Sequence, residues 1–254
     1  MIKLKTEKDL QFLRQSGKIL ASVLEILKEA AKEGAKLSFL DELARRLIEE
    51  AGGKPAFLGY KPEGAKTPYP ASICTSVNEV IVHGLPGNYV LNKGDVLKID
   101  AGVSYKGYIT DSALTVAIPP VSAEAGKLMA VTEKSLYEAI NVIRPGGHLG
   151  DIGAAVEGVV SRAGFKIIRN LTGHGVGFEL HEDPSIYNFG NRGEGIELKE
   201  GMVLAIEPMV SISSSRAVER KDSSFVTEDE SLSAHFEHTI AVTEKGAEVL
   251  TSLA

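Results

Sequence analysis

A chain of 254 residues with 43% hydrophobic and 24% charged residues can build one substantial core, and its composition argues against disorder or collagen-like repeats. Its net charge of −6, with the lysines spread rather than striped, offers no basic footprint for nucleic acid or an anionic membrane. The only cysteine, Cys74, excludes an intramolecular disulfide and a Cys-based zinc module, and no apolar run approaches the roughly 20 residues that cross a bilayer, so a cytoplasmic protein of one domain over residues 1–254 is expected.

Thr6-Glu7-Lys8-Asp9 has the form of a capping box. It opens a helix whose apolar positions Leu10, Leu13, Leu20, Leu24 and Leu27 recur at helical spacing until Gly34. A second helix is predicted over Ser38–Glu50. Segments rich in β-branched residues then predict strands at Val80–Val82, Val96–Gly102 and Tyr108–Ala117. A third helix is predicted over Ala123–Ile143, stopped by Pro145-Gly146-Gly147, and a fourth over Leu149–Ala163. Strands follow at Met202–Ile206 and His238–Val242, while the polar segments 61–68, 182–195 and 213–233 read as surface loops or hairpin tips. Helices covering one face of a mainly antiparallel sheet give an α+β fold.

The chain also repeats itself. Leu91-Asn92-Lys93-Gly94-Asp95-Val96-Leu97-Lys98-Ile99-Asp100 matches Leu198-Lys199-Glu200-Gly201-Met202-Val203-Leu204-Ala205-Ile206-Glu207 in register. Gly34, Leu37, Leu40, Ala51 and Gly52 match Gly146, Leu149, Ile152, Ala163 and Gly164 at a similar offset. Two related halves are inferred, roughly 1–120 and 121–254, each ending a strand with an acid at their shared seam; two copies are too few for a solenoid.

Asp100, Asp111, His174, Glu207 and Glu237 each sit in a short apolar stretch where a charge needs a counter-charge. Converging in one cavity, the four acids would carry about −4 and their pKa values would rise steeply, whereas two divalent cations supply about +4 and leave them ionised. An oxygen-rich dinuclear metal site is the leading reading. Asp100 and Asp111 flank the turn Ser104-Tyr105-Lys106-Gly107; they oppose each other directly if it centres between residues 105 and 106, and are diagonal neighbours if it centres one residue later. Either register brings their Cβ atoms within about 5–8 Å. His174 stands between glycines that let the backbone approach a ligand closely, and Pro208 holds Glu207 in an extended conformation. Alternation is read as placing both His235 and His238 away from Glu237.

In this order and over this length, the aspartates spaced by ten residues, Gly173-His174-Gly175, Ile206-Glu207-Pro208-Met209 and Glu237-His238-Thr239 resemble type 1 methionine aminopeptidases across essentially the whole chain. Residues 171–189 match that family's histidine signature, except that Leu171 replaces a larger residue. The resemblance implies the "pita-bread" fold, with pseudo-twofold halves and a curved, mainly antiparallel sheet covered by helices. It implies a metalloaminopeptidase that removes N-terminal methionine before a small second residue. Asp111 and Glu237 would bridge two divalent ions of cobalt, manganese, iron or zinc. Asp100 would chelate one ion, His174 and Glu207 the other, and Glu207 would shuttle a proton. His83, which otherwise reads as a buried structural histidine, would bind near the scissile peptide, and His181 would stabilise the oxyanion. Tyr60, Tyr69 and Cys74 would form the methionine pocket. Peptide and nascent-chain N-termini would be the partners, with a transient ribosome association, a monomeric state, and neither nucleic acid nor membrane.

The sequence departs from the pattern at an insertion over 61–68, at Phe57 where cysteine is frequent, at Leu180 where an aromatic is usual, and on the 213–233 hairpin, where Ser223 or a neighbour takes the place of a tryptophan. Two rivals stay open. Xaa-Pro aminopeptidases or prolidases share this ligand pattern but usually carry a large extra N-terminal domain, and non-enzymatic binding modules of the fold typically lose ligands.

Overall fold

The computed structural model describes residues 1–61 and 67–253, so the centre of the 61–68 insertion lies outside the described residues. Thr6 caps α1 (Glu7–Ala30) through the expected reciprocal pair: its hydroxyl accepts the Asp9 N–H at 3.3 Å, and the Asp9 carboxylate accepts the Thr6 N–H at 2.8 Å. After α2 (Leu37–Glu50) come β1 (Lys54–Pro55), β2 (Ile73–Val77), β3 (Val80–Val82), β4 (Val96–Tyr105) and β5 (Tyr108–Ala117). The second half repeats the plan with α3 (Ala123–Asn141), α4 (Leu149–Ala163), β6 (Lys166–Ile167), β7 (Gly173–Gly175), β8 (Glu182–Ile186), β9 (Val203–Ile206), β10 (Met209–Ser211), β11 (Ala217–Glu219), β12 (Phe225–Thr227), β13 (Ser233–His235), β14 (His238–Thr243) and β15 (Gly246–Val249).

All the paired strands run antiparallel, in ladders ordered β1-β4-β2 with β5 also on β4, β15-β14-β9-β7-β8, β13-β10-β6 and β11-β12-β3. Each half has its own core. Leu20, Leu24 and Leu27 of α1 and Leu40 and Ile48 of α2 pack on Leu97, Ile99 and Val103 of β4, while Leu136 and Ile140 of α3 and Ile152 and Val156 of α4 pack on Leu204, Ile206 and Ile240. Each such side chain contributes about 1.5–3 kcal/mol by leaving water. The repeat persists in the backbone: Gly94 and Gly201, matched in sequence, turn into β4 and β9 with φ of +93° and +85°.

The two halves join where β5 meets β13 and β14. Ala113 and Glu237 exchange backbone hydrogen bonds, the Glu237 N–H donating at 2.9 Å and the Ala113 N–H at 3.4 Å. On either side a threonine hydroxyl stands in for the ladder. Thr239 Oγ1 accepts the Asp111 N–H and donates to the Asp111 carbonyl at 2.9 and 2.7 Å; Thr115 Oγ1 does the same for His235 at 3.0 and 2.6 Å. These bridges are related by the internal symmetry. Asp100 pairs with Ala113 in one hairpin, and the pairs Ile206 with His238 and Met209 with His235 leave Glu207 facing Glu237 in the other. Ala113 therefore corresponds to Glu237, Thr115 to Thr239, and Asp111 to His235.

Candidate active site

The register of the first hairpin is set at its tip. Lys106 and Gly107 have φ of +52° and +86°, so they close a two-residue loop between the paired Tyr105 and Tyr108. Gly102 then faces Asp111 and Ala113 faces Asp100, which makes the aspartates diagonal neighbours, the second of the two registers the turn allowed. In the second hairpin Pro208 lacks an N–H for the ladder, so β9 ends before Glu207 and β10 starts after Pro208. The Glu207 carbonyl instead accepts from Asn188 Nδ2 at 2.9 Å.

His174 reaches the same point from β7. A Cβ on Gly173 would come 2.4 Å from the Ala205 carbonyl, and one on Gly175 would come 2.2 Å from that of Asp183, so only glycines let this strand lie so close to its neighbours. His174 Nδ1 lies 2.9 Å from the Gly175 carbonyl, and its Nε2 lies 3.5 Å from Glu207 Oε1 and 3.9 Å from Asp111 Oδ2. Asp111, His174 and Glu237 offer ligand atoms that all lie within 4.8 Å of one another. Asp100, diagonal to Asp111 across the β4–β5 ladder, is close enough for its charge to act on both Asp111 and Glu237.

Burial, and then the charges of neighbouring acids, push Asp111 and Glu237 far above the carboxylate range. Burial also raises Asp100 and Glu207 to about 7. Asp100 Oδ1, Asp111 Oδ1, Glu237 Oε1 and both ring nitrogens of His235 are buried without a hydrogen-bond partner. So many orphaned polar atoms around one point are costly, and a divalent cation satisfies them with a donor set of carboxylate oxygens and imidazole that suits such an ion. These residues therefore fit a divalent metal.

His235 corrects the alternation reading: its Nε2 lies 3.5 Å from Glu207 Oε2, inside the site. The internal symmetry explains why, since His235 occupies the place that Asp111 holds in the other half. His238 does face away, its Nδ1 2.9 Å from Thr251 Oγ1. His181 Nδ1 lies 2.8 Å from the Tyr60 hydroxyl, and its ring meets that of His174 at 4.4 Å between centroids. His83, in a left-handed conformation at φ +60°, packs edge-on against Phe225 at 5.5 Å. Burial depresses His181 to about 3 and His83 and His235 to about 4, so all three are neutral near pH 7.

The proposed pocket residues also meet. Phe57, Cys74 and Leu180 form a buried cluster against which Tyr60 and Tyr69 pack, so the two departures at 57 and 180 belong to one hydrophobic group with the proposed pocket residues. On the hairpin β11–β12, Phe225 is the aromatic that meets His83, and Ser223 occupies the turn at φ +67°. Segment 182–195 is not wholly loop, because Glu182–Ile186 pairs with β7 as β8 despite its polar sequence.

In the metal-free protein these acids make stability depend on pH. An unfolded carboxylate releases its proton near pH 4, whereas the folded Asp100 and Glu207 hold theirs to about 7, and burial with the neighbouring acids raises Asp111 and Glu237 well above the usual range too. The folded chain thus binds more protons in this window, and stability is lost as pH rises through it. Depressed histidines act in the opposite sense only below about 6.5, and two buried lysines oppose the acids, Lys98 lowered to about 7 and Lys5 also lowered by burial. Chelator-treated protein should therefore melt at a lower temperature at pH 8 than at pH 6.5, and manganese should remove that slope. A melting temperature that climbs over this range without metal would contradict the buried-acid account.

Buried acids and an imidazole gathered at the seam of two symmetric halves define a metal-dependent hydrolase. Residues 11–244 match the model of "Metallopeptidase family M24". The methionine aminopeptidase of Aquifex aeolicus is 43% identical over 99% of both chains, as is "Methionine aminopeptidase 1" of Bacillus subtilis. The crystal structure of the Thermotoga maritima methionine aminopeptidase superposes with a TM-score of 0.94 at 40% identity, over 99% of this chain and 100% of that one. The chain belongs to metallopeptidase family M24 and, within it, to the methionine aminopeptidases. Its fold is the pita-bread arrangement, shared more distantly with the prolidase of Pyrococcus furiosus at a TM-score of 0.79 and 21% identity, over 66% of that chain.

Proposed function

We propose that this protein removes the N-terminal methionine from peptides and nascent chains, using two divalent ions of cobalt, manganese, iron or zinc. The observation that carries this reading is the convergence of Asp100, Asp111, His174, Glu207 and Glu237 from both halves of a chain 43% identical, end to end, to methionine aminopeptidases. Asp111 and Glu237 would hold both ions, Asp100 would hold one of them, and His174 with Glu207 would hold the other. When bound, the ions supply Lewis acidity that makes water a nucleophile near neutral pH.

The rest falls to the protein's own groups. Glu207, aligned by His174 and His235 on its two oxygens at 3.5 Å each, takes the proton from water and returns it to the leaving amine. With the Tyr60 hydroxyl, 2.8 Å away, donating to His181 Nδ1, the neutral ring would present its Nε2–H as the donor to the oxyanion. His83 bonds near the scissile peptide, held by Phe225. The methionine side chain rests among Phe57, Tyr60, Tyr69, Cys74 and Leu180, whose aromatic and soft surfaces suit a thioether. Because ligands come from both halves, residues 1–254 act as one catalytic domain, working in the cytoplasm with transient contact to the ribosome.

The shared fold of the prolidases keeps a proline-specific peptidase as the second reading. Cleavage of Met-Ala-Ser is set beside cleavage of Ala-Pro-Ala, with protein stripped of metal and reloaded with manganese, iron(II) or cobalt. Metal-dependent release of methionine alone is expected. Release of alanine from the proline peptide would move the protein to the proline-specific branch, and inactivity on both would favour a binding module.

A further inference from the structure

We propose that Lys5 is a positioning residue for His181, acting through Glu182. The ammonium of Lys5 meets Glu182 Oε2 at 2.5 Å, and the two side chains are only 2% and 3% exposed. The other oxygen, Glu182 Oε1, accepts the N–H groups of Phe178 and Glu179 at 2.6 and 3.0 Å. One carboxylate thus closes the turn in which His181 stands, and Lys5 holds that carboxylate. Lys5 is itself pinned. Its N–H donates to the Gly201 carbonyl at 2.7 Å, and the Gly201 N–H donates to Val242 at 2.9 Å, which ties the N-terminal segment to the sheet whose strand β9 leads into Glu207.

The path of the lysine leaves no slack. A Cβ on Gly177 would lie 2.5 Å from Lys5 Cε, one on Gly201 would lie 2.7 Å from the Lys5 carbonyl, and Lys5 Nζ stands 5.1 Å from the Phe178 ring centroid. The ion pairs of Lys3 with Glu179 and of Met1 with Asp183 follow the same line, but they are exposed and add little. A buried pair such as Lys5–Glu182 roughly breaks even for stability against an apolar replacement. What it fixes is geometry: Glu182 is the next residue after His181, whose ring has to meet both Tyr60 and the substrate oxygen.

This inference rests on the aminopeptidase reading and on the role given there to His181, and its test separates the two. K5M, K5R and E182Q are assayed with manganese on Met-Ala-Ser, and K5M is also combined with H181A. Because misplacing a catalytic group by about 1 Å can cost up to about 100-fold, K5M and E182Q should lower kcat by on the order of 10-fold or more with KM nearly unchanged. K5R should recover most of the loss, and K5M should have no further effect in the H181A background. In the metal-free protein, hydrogen exchange at the Phe178 and Glu179 amides should accelerate at least several-fold in K5M, while Leu204 and Ile206 stay protected. Wild-type kcat in K5M, or a loss that multiplies with that of H181A, would overturn the proposal, as would fast exchange without any kinetic change. If K5M does not fold, E182Q decides by the same readouts. A wild-type protein that releases no methionine would remove the aminopeptidase reading, whereas an active wild type with a normal K5M removes only the role of Lys5.

Discussion

Asp111→Ala is expected to abolish methionine release and strip the protein of metal in one step. Asp111 stands at the centre of the acid cluster, diagonal to Asp100 across the hairpin, 3.9 Å from His174 and with a carboxylate oxygen within 4.8 Å of one on Glu237, so no other residue can replace it as the proposed bridge. Loss of Lewis-acid stabilisation worth several kcal/mol corresponds to a fall in rate on the order of 10³-fold or more. A second signature separates lost metal from lost folding. Removing one of four mutually repelling buried acids should raise the melting temperature of the metal-free protein, and manganese should then add much less to it than it adds to the wild type. Metal content by mass spectrometry and thermal melts with and without manganese read both effects. Two tightly bound ions with normal turnover in the variant would sink the assignment.

His181→Ala is expected to lower turnover by roughly 10²–10³ while metal content and KM change little, as removal of an oxyanion donor does. The geometry makes the effect specific. Tyr60 occupies Nδ1 at 2.8 Å, and burial holds the pKa of the ring at about 3, so it stays neutral at every working pH. The donor should therefore produce no inflection in the pH–rate profile between pH 5 and 8. A loss below a few-fold, or loss of metal together with activity, would take His181 out of the proposed role.

Much of this was legible along the chain because it depends on residues close in sequence. The Thr6 cap, the apolar period of α1, the bounds of α4, and β3 and β5 follow from capping, periodicity and β-branching, and the structure reproduces them. Short elements were not legible. β1 and β6 have two residues each, too few to show a period, and β8 contains Pro184 in a polar run, where pairing with β7 overrides local preference. α1 stops at Ala30 instead of running to Gly34, because the chain must turn there for Gly34 and Ala35 to bond with Leu91.

The sequence by itself determined the four helices, the internal repeat and the types of residue that could gather around a metal, since each is written in local spacing or in a matched decapeptide. Tertiary structure decided the geometry of the site. Positive φ at Lys106 and Gly107 made Asp100 and Asp111 diagonal, the Thr115 and Thr239 bridges set β5 against residues more than a hundred positions away, the pseudo-twofold carried His235 into the site, and the pairing of β12 with β3 brought Phe225 onto His83. Such contacts are non-local, and no periodicity along a chain encodes which distant strand it will meet; only the packing of one half against the other does.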